Sequence, residues 1–114
     1  MMVVIVFRSH LREGADLALL EQLGQRMATL AQAMPGFKSY KDFQAEDGEA
    51  LTLVEFDSLQ ALQAWRDHPE HQAAQQMARD ALLARYEITV CSPLRAYRFD
   101  TETGRVSLPV GGAA

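Results

Sequence analysis

Residues 3–10 read VVIVFRSH. From Val3 to Phe7 the run is β-branched and aromatic without interruption, and it turns polar only at Arg8, Ser9 and His10, which predicts a strand buried on both faces. Such a strand needs two covers, one on each side. Outward from it, Glu13, Gly14 and Ala15 form a turn, and Asp16 caps a long amphipathic helix whose Leu17, Leu20, Leu23, Met27, Leu30 and Met34 fall three and four apart. Pro35 and Gly36 end that helix. Phe37 to Ala45 and Ala50 to Phe56, joined by Glu46-Asp47-Gly48-Glu49, read as a β-hairpin. Asp57 or Ser58 caps a short helix with Leu59, Leu62 and Trp65 on one face. Pro69 suits the first turn of a third helix, expected to run to about Ala84 with Ala74, Met77, Ala78 and Ala81 inward. A last strand, Tyr86 to Phe99, is expected to change parity at a bulge or edge near Pro93.

The order is β-α-β-β-α-β, with the second helical region broken at His68-Pro69. Short connections and handedness make this an α+β fold, a ferredoxin-like antiparallel sheet with helices on one face. Residues 1–100 are expected to form that domain, and residues 101–114 a mobile tail or an arm on a partner. Both sheet faces are apolar: Val3, Ile5 and Phe7 oppose Val4 and Val6, and Leu51 and Leu53 oppose Val54 and Phe56. A face-to-face homodimer buries the second face.

Composition excludes several classes of function. A net charge of −4, from 11 basic and 15 acidic side chains spread along 114 residues, offers no basic stripe for nucleic acid. The apolar start MMVVIVF is too short to span a bilayer and lacks the flanks of a signal peptide, so no membrane partner and a cytoplasmic location are expected. The lone Cys91 forms no intramolecular disulfide or thiolate cluster and reads as a small strand residue. No glycine-rich phosphate loop or metal-ligand spacing is present, so neither cofactor nor metal is expected.

The strand and long helix up to Met34-Pro35-Gly36-Phe37, Trp65 followed by HPEH at residues 68–71, Tyr86 and the closing ITVCSPLRAYRF together resemble the antibiotic biosynthesis monooxygenase (ABM) family of dimeric α+β barrels, over roughly the first hundred residues. The resemblance implies a homodimer. It also implies a cofactor-independent monooxygenase that oxidises a small electron-rich aromatic, a phenol or quinol, with molecular oxygen, and it places Trp65 in the substrate-binding wall. The chain departs from two branches of the family. Haem-degrading relatives carry an asparagine and a histidine where this chain has Phe7 and Gln75, and Gln75 is no ordinary axial haem ligand. Polyketide-oxidising relatives carry an asparagine and a tyrosine where it has Ala61 and His71.

Oxidising a phenol without a cofactor requires a base, because the phenolate gives up an electron to oxygen far more readily than the phenol. Histidine has a pKa near the working pH. His71 and His68, at the start of the third helix where the dipole favours a neutral imidazole, are the candidate catalytic residues. The plainer roles are His68 as a helix cap, His71 on a solvated face and Trp65 as a core anchor. His10 is read as an exposed strand end, Arg95, Tyr97 and Arg98 as solvated or interfacial, and Met27, Met34 and Met77 as packing. Three functions stay open: the oxygenase, a non-catalytic dimeric module that binds a small molecule, and, disfavoured by Phe7 and Gln75, haem binding or breakdown. Trp65 and at least one of His68 and His71 are expected to border one apolar cavity between helices and sheet.

Overall fold

In the computed structural model, residues 2–110 are described. Strand β1 (Val3–Leu11) leads to helix α1 (Leu17–Gln32), the hairpin β2 (Phe37–Gln44) and β3 (Ala50–Phe56), the short helices α2 (Leu59–Arg66) and α3 (Pro69–Met77), and strand β4 (Leu83–Cys91). These four strands form one antiparallel sheet in the order β2-β3-β1-β4, the ferredoxin-like arrangement. Among the described residues no helix is long and apolar enough to cross a membrane.

The helix starts form where short oxygen-bearing side chains satisfy orphan N–H groups. The Leu19 N–H donates to Asp16 Oδ1 at 3.1 Å, and the Ala61 N–H donates to Ser58 Oγ at 3.1 Å. Between α1 and β2, Gly36 adopts φ +86°, where a side chain would also collide with the Asp57 carboxylate.

Strand alternation then divides the sheet into two faces. Val3, Ile5, Phe7, Ser9 and Leu11 of β1 share the inner face with Val54 and Phe56 of β3, and α1 and α2 cover it there. The buried core sits at one end of this face, where Val3, Ile5, Val54 and Phe56 meet Leu30, Ala31, Leu62 and Trp65. The outer face has no helix over it. It carries Val4, Val6, Leu51 and Leu53, all half-buried, bounded by Arg8 in ion pairs with Glu49 and Glu87. The both-faces apolarity of the two central strands is as the sequence predicts.

Other expectations are corrected. The third helix does not run to Ala84: α3 gives way at Ala78 to a single π-helical turn, Ala78–Leu82, and its inward residues are His71, Ala74 and Leu82, whereas Met77 and Ala81 are exposed. A π turn widens the helix by one residue and rotates the chain beyond it, which no local hydrophobic period announces. Leu59 does not share the burial of Leu62 and Trp65 and is 42% exposed.

The last strand is not one element. β4 ends at Cys91, and beyond Pro93 the chain leaves the main sheet to form a separate antiparallel hairpin of β5 (Ala96–Asp100) and β6 (Gly104–Leu108). The register irregularity lies at Ala84, not at Pro93: His10 faces Arg85 and Leu11 faces Leu83, so Ala84 has no opposite number. Of the expected tail, residues 101–108 are the turn and second strand of that hairpin. Its turn is held by Asp100, whose carboxylate accepts from the Glu102 and Thr103 N–H groups. Residues 111–114 of the expected tail lie outside the described residues.

Candidate functional site

The inner face is only partly filled. Beyond the core, α1 stands off the sheet and leaves a cavity of about 1000 Å³ between helices and strands. Leu17, Leu20 and Leu23, which the helical period marks as inward, line this space instead of packing on the strands. Leu17 therefore stays 64% exposed even though it lies on the apolar stripe. Across from them, Phe7 and Ser9 of β1 and Ile88 and Val90 of β4 form the floor.

Trp65 and His71 border the cavity together. The chain breaks helix between them: the His68 N–H donates to the Trp65 carbonyl at 3.2 Å, and Pro69 begins α3 with no N–H to satisfy. The turn brings the rings to a centroid distance of 4.3 Å, edge to face at 68°. Both residues are only 7% exposed. Trp65 also meets Phe56 at 5.7 Å and Tyr40 at 6.4 Å, so it closes the core and walls the cavity at once.

His68 has a different place. Its Nδ1 accepts from the Glu70 N–H at 3.1 Å, which caps α3, and its side chain is not among those lining the cavity. An accepting Nδ1 keeps its lone pair, so the proton of the neutral ring is on Nε2. His10 belongs to the even-numbered outer set of β1 and is likewise off the lining.

The electrostatics around His71 favour an uncharged ring. Burial, and secondarily the nearby His68, hold its imidazole below the ordinary 6.5. Its Nδ1 and the Trp65 Nε1 are enclosed without a hydrogen-bond partner. Burial, with help from the Asp42 carboxylate, pushes the Tyr40 phenol up to about 12. An ion pair from Arg26 of α1 to Glu70 of α3, at 2.5 Å, ties the two helices together beside the histidine turn. Among the described residues no group of three or more His, Cys, Asp or Glu is arranged to hold a metal ion.

Phe7 and Gln75, the two positions that separate this chain from haem-degrading relatives, both line the cavity. Ser9 and Tyr40 also line it and were not singled out from sequence. Strand parity offered a signal for each: Tyr40 lies across from Val54, and Ser9 shares the face of Ile5 and Phe7. Arg95, Tyr97 and Arg98 are away from it, at or beside the exposed hairpin, where Arg105 lies over the Tyr97 ring at 4.2 Å.

The family model for antibiotic biosynthesis monooxygenase matches residues 2–77, two-thirds of the chain and all of the wall from β1 to α3. The chain belongs to the ABM family. It is 33% identical over 82 residues to the uncharacterised protein YqjZ of Bacillus subtilis (strain 168), covering 72% of each. Among solved structures, Rv0793 from Mycobacterium tuberculosis superposes with a TM-score of 0.73 at 27% identity, over 82% of this chain and 96% of that one. SnoaB, a cofactor-independent oxygenase from Streptomyces nogalater, shares the fold with a TM-score of 0.70 at 15% identity, over 83% and 95% of the two chains. A dimeric ferredoxin-like protein of unknown function from Thermobifida fusca does so with a TM-score of 0.65 at 20% identity, over 80% and 90%.

Proposed function

We propose that this ABM-family protein is a homodimeric, cofactor-independent monooxygenase that oxidises an electron-rich phenol or quinol inside the cavity. The observation that carries the reading is the pairing of a buried, uncharged His71 with Trp65 on the wall of a largely apolar space. Trp65 offers a flat face to an aromatic ring, and His71 takes the phenol proton. The phenolate then gives an electron to oxygen; after recombination one oxygen atom bonds to a ring carbon and the other leaves as water, so phenol and O2 become quinone and water. The electrons come from the substrate, and no step calls for a bound cofactor.

The depressed pKa of His71 has two opposing consequences. It keeps the ring unprotonated, and able to accept, throughout the neutral range. It also makes the ring a weaker base, so the proton transfer depends on the phenol being held close. In this reading His68 is a positioning residue: it starts α3 and sets the angle at which His71 enters the cavity.

The assembly follows from the outer face. Val4, Val6, Leu51 and Leu53 form an apolar patch on a sheet with no second layer, and a second copy of the same face is its natural cover. The dimeric state of the Thermobifida neighbour supports the same assembly.

Oxygen uptake measured with a panel of quinols and naphthols tests the proposal. Turnover is expected with at least one, and His71→Ala should lower kcat roughly 100-fold, the scale of a lost general base. An unchanged kcat would remove His71 from the chemistry. No uptake with any phenol, together with a Soret band in a parallel haem titration, would replace the oxygenase by a haem-binding function.

A further inference from the structure

The cavity has a second polar feature, at the end remote from His71. Ser9 is only 6% exposed and occupies an inner-face position on β1, where the pattern of Val3, Ile5 and Phe7 calls for an apolar side chain. Its cross-strand neighbours are Ala50 and Tyr86. A serine adds little to a buried strand, and its hydroxyl is costly there unless it is hydrogen-bonded. Among the described residues the Ser9 side chain has no such partner, and its Oγ is not one of the enclosed atoms, so it is open to the cavity it lines. Of the neighbouring hydroxyls, Thr52 donates to Asp42 at 2.6 Å, and Tyr86 accepts from Arg79 at 3.1 Å and keeps its own O–H to donate beside Ser9.

Polar groups without a hydrogen-bond partner therefore lie at both ends of the cavity, and the bonded Thr52–Asp42 pair lines it between them. At the near end are the Trp65 and His71 rings, packed beside Phe56 and Tyr40 at the level of Ile5 and Val54. Ser9 is four residues further along β1, roughly 13 Å away at the rise of a strand. Between them Phe7 and Ile88 supply ring and methyl surface. A cavity of about 1000 Å³ is at the large end for a small-molecule site, and a single phenol ring leaves most of it unfilled.

We propose that Ser9 is a specificity-determining residue, whose hydroxyl bonds an oxygen at the far end of an elongated, fused-ring aromatic while the opposite oxygen lies against His71. This rests on the reading of the cavity as a substrate site, and it selects substrates by the oxygen they carry remote from the reacting ring.

The test compares two anthraquinones by calorimetry under nitrogen, one with a hydroxyl on each outer ring and one with a hydroxyl on a single outer ring. Both are already quinones and bind without turnover, so the outcome is independent of whether the protein is an oxygenase. The wild-type protein should prefer the doubly hydroxylated compound by about fivefold, the scale of one net hydrogen bond. Ser9→Ala, which fits the strand and should melt like wild type, should abolish the preference, and Ser9→Thr should keep it. A preference that survives Ser9→Ala, a wild-type protein that does not discriminate, or failure of both compounds to bind would each overturn the proposal. Absence of oxygen uptake would overturn the catalytic reading and leave this result standing.

Discussion

On one side of the inner sheet face Val3, Val54 and Phe56 lie under α1 and α2 with almost no exposed surface, whereas on the other side, along edge strand β4, Ile88 and Val90 remain 41% and 49% exposed. Central strands β1 and β3 supply the first set and edge strand β4 the second, with the same alternation and comparable side chains. What differs is the cover. The short helix α2 brings Leu62 and Trp65 down onto the first side, while the half of α1 that carries Leu17 and Leu20 stands off the second. Apolar character alone therefore does not distinguish a residue that holds the fold from one that lines a cavity, and the two are separated by what mutation costs.

The sharpest contrast should come from truncation. Phe56→Ala removes a fully buried ring on the packed side and should cost about 3–5 kcal/mol in urea denaturation at fixed protein concentration. The next largest effect tests the outer face: Leu53→Lys should halve the mass seen by sedimentation equilibrium at low micromolar concentration, and a variant that stays dimeric would place the interface elsewhere. Ile88→Ala, on the hollow side, should cost under about 1 kcal/mol, because little is packed against it. A loss as large as that for Phe56 would erase the distinction between the sides. The smallest effect is on acid stability. Burial lowers the His71 pKa in the folded state, so the fold holds fewer protons there than the unfolded chain does. The stability this contributes is full above 6.5 and is lost as pH falls through the depressed value. His71→Gln should flatten that acid-side decline in a series of urea titrations.

The fold was legible wherever one local rule acted alone. Val3 to Phe7 announced a strand, Asp47-Gly48 a hairpin, and Pro69 the start of a helix. The meeting of Trp65 and His71 was also legible, since a helix break between residues six apart leaves them little room to separate. Other features were hidden for physical reasons. The π turn at Ala78–Leu82 shares its composition with an α-helix, and the difference lies in hydrogen bonding that side chains do not encode. Ser9 looked like the polar end of a strand because alternation marks a face without marking how far the cover extends. The hairpin β5–β6 had a signal that went unread: an aspartate followed four residues later by a glycine, Asp100 to Gly104, is turn chemistry, and Gly104 takes φ +71°.

The unpaired Ala84 determines how β4 tolerates insertions and deletions. Most strands have no spare length, and losing one residue inverts every side chain beyond the loss. In β4 such a deletion at Thr89 would leave the strand's end with its alternation reversed, turning Val90 out of the cavity. Loss of Ala84 is different: Leu83 still meets Leu11, Arg85 still meets His10, and Tyr86, Ile88 and Val90 still face inward. The bulge is a one-residue reserve of chain at the junction of helix and strand. At that point alone in the strand, a gene can lose a codon without turning the cavity wall inside out.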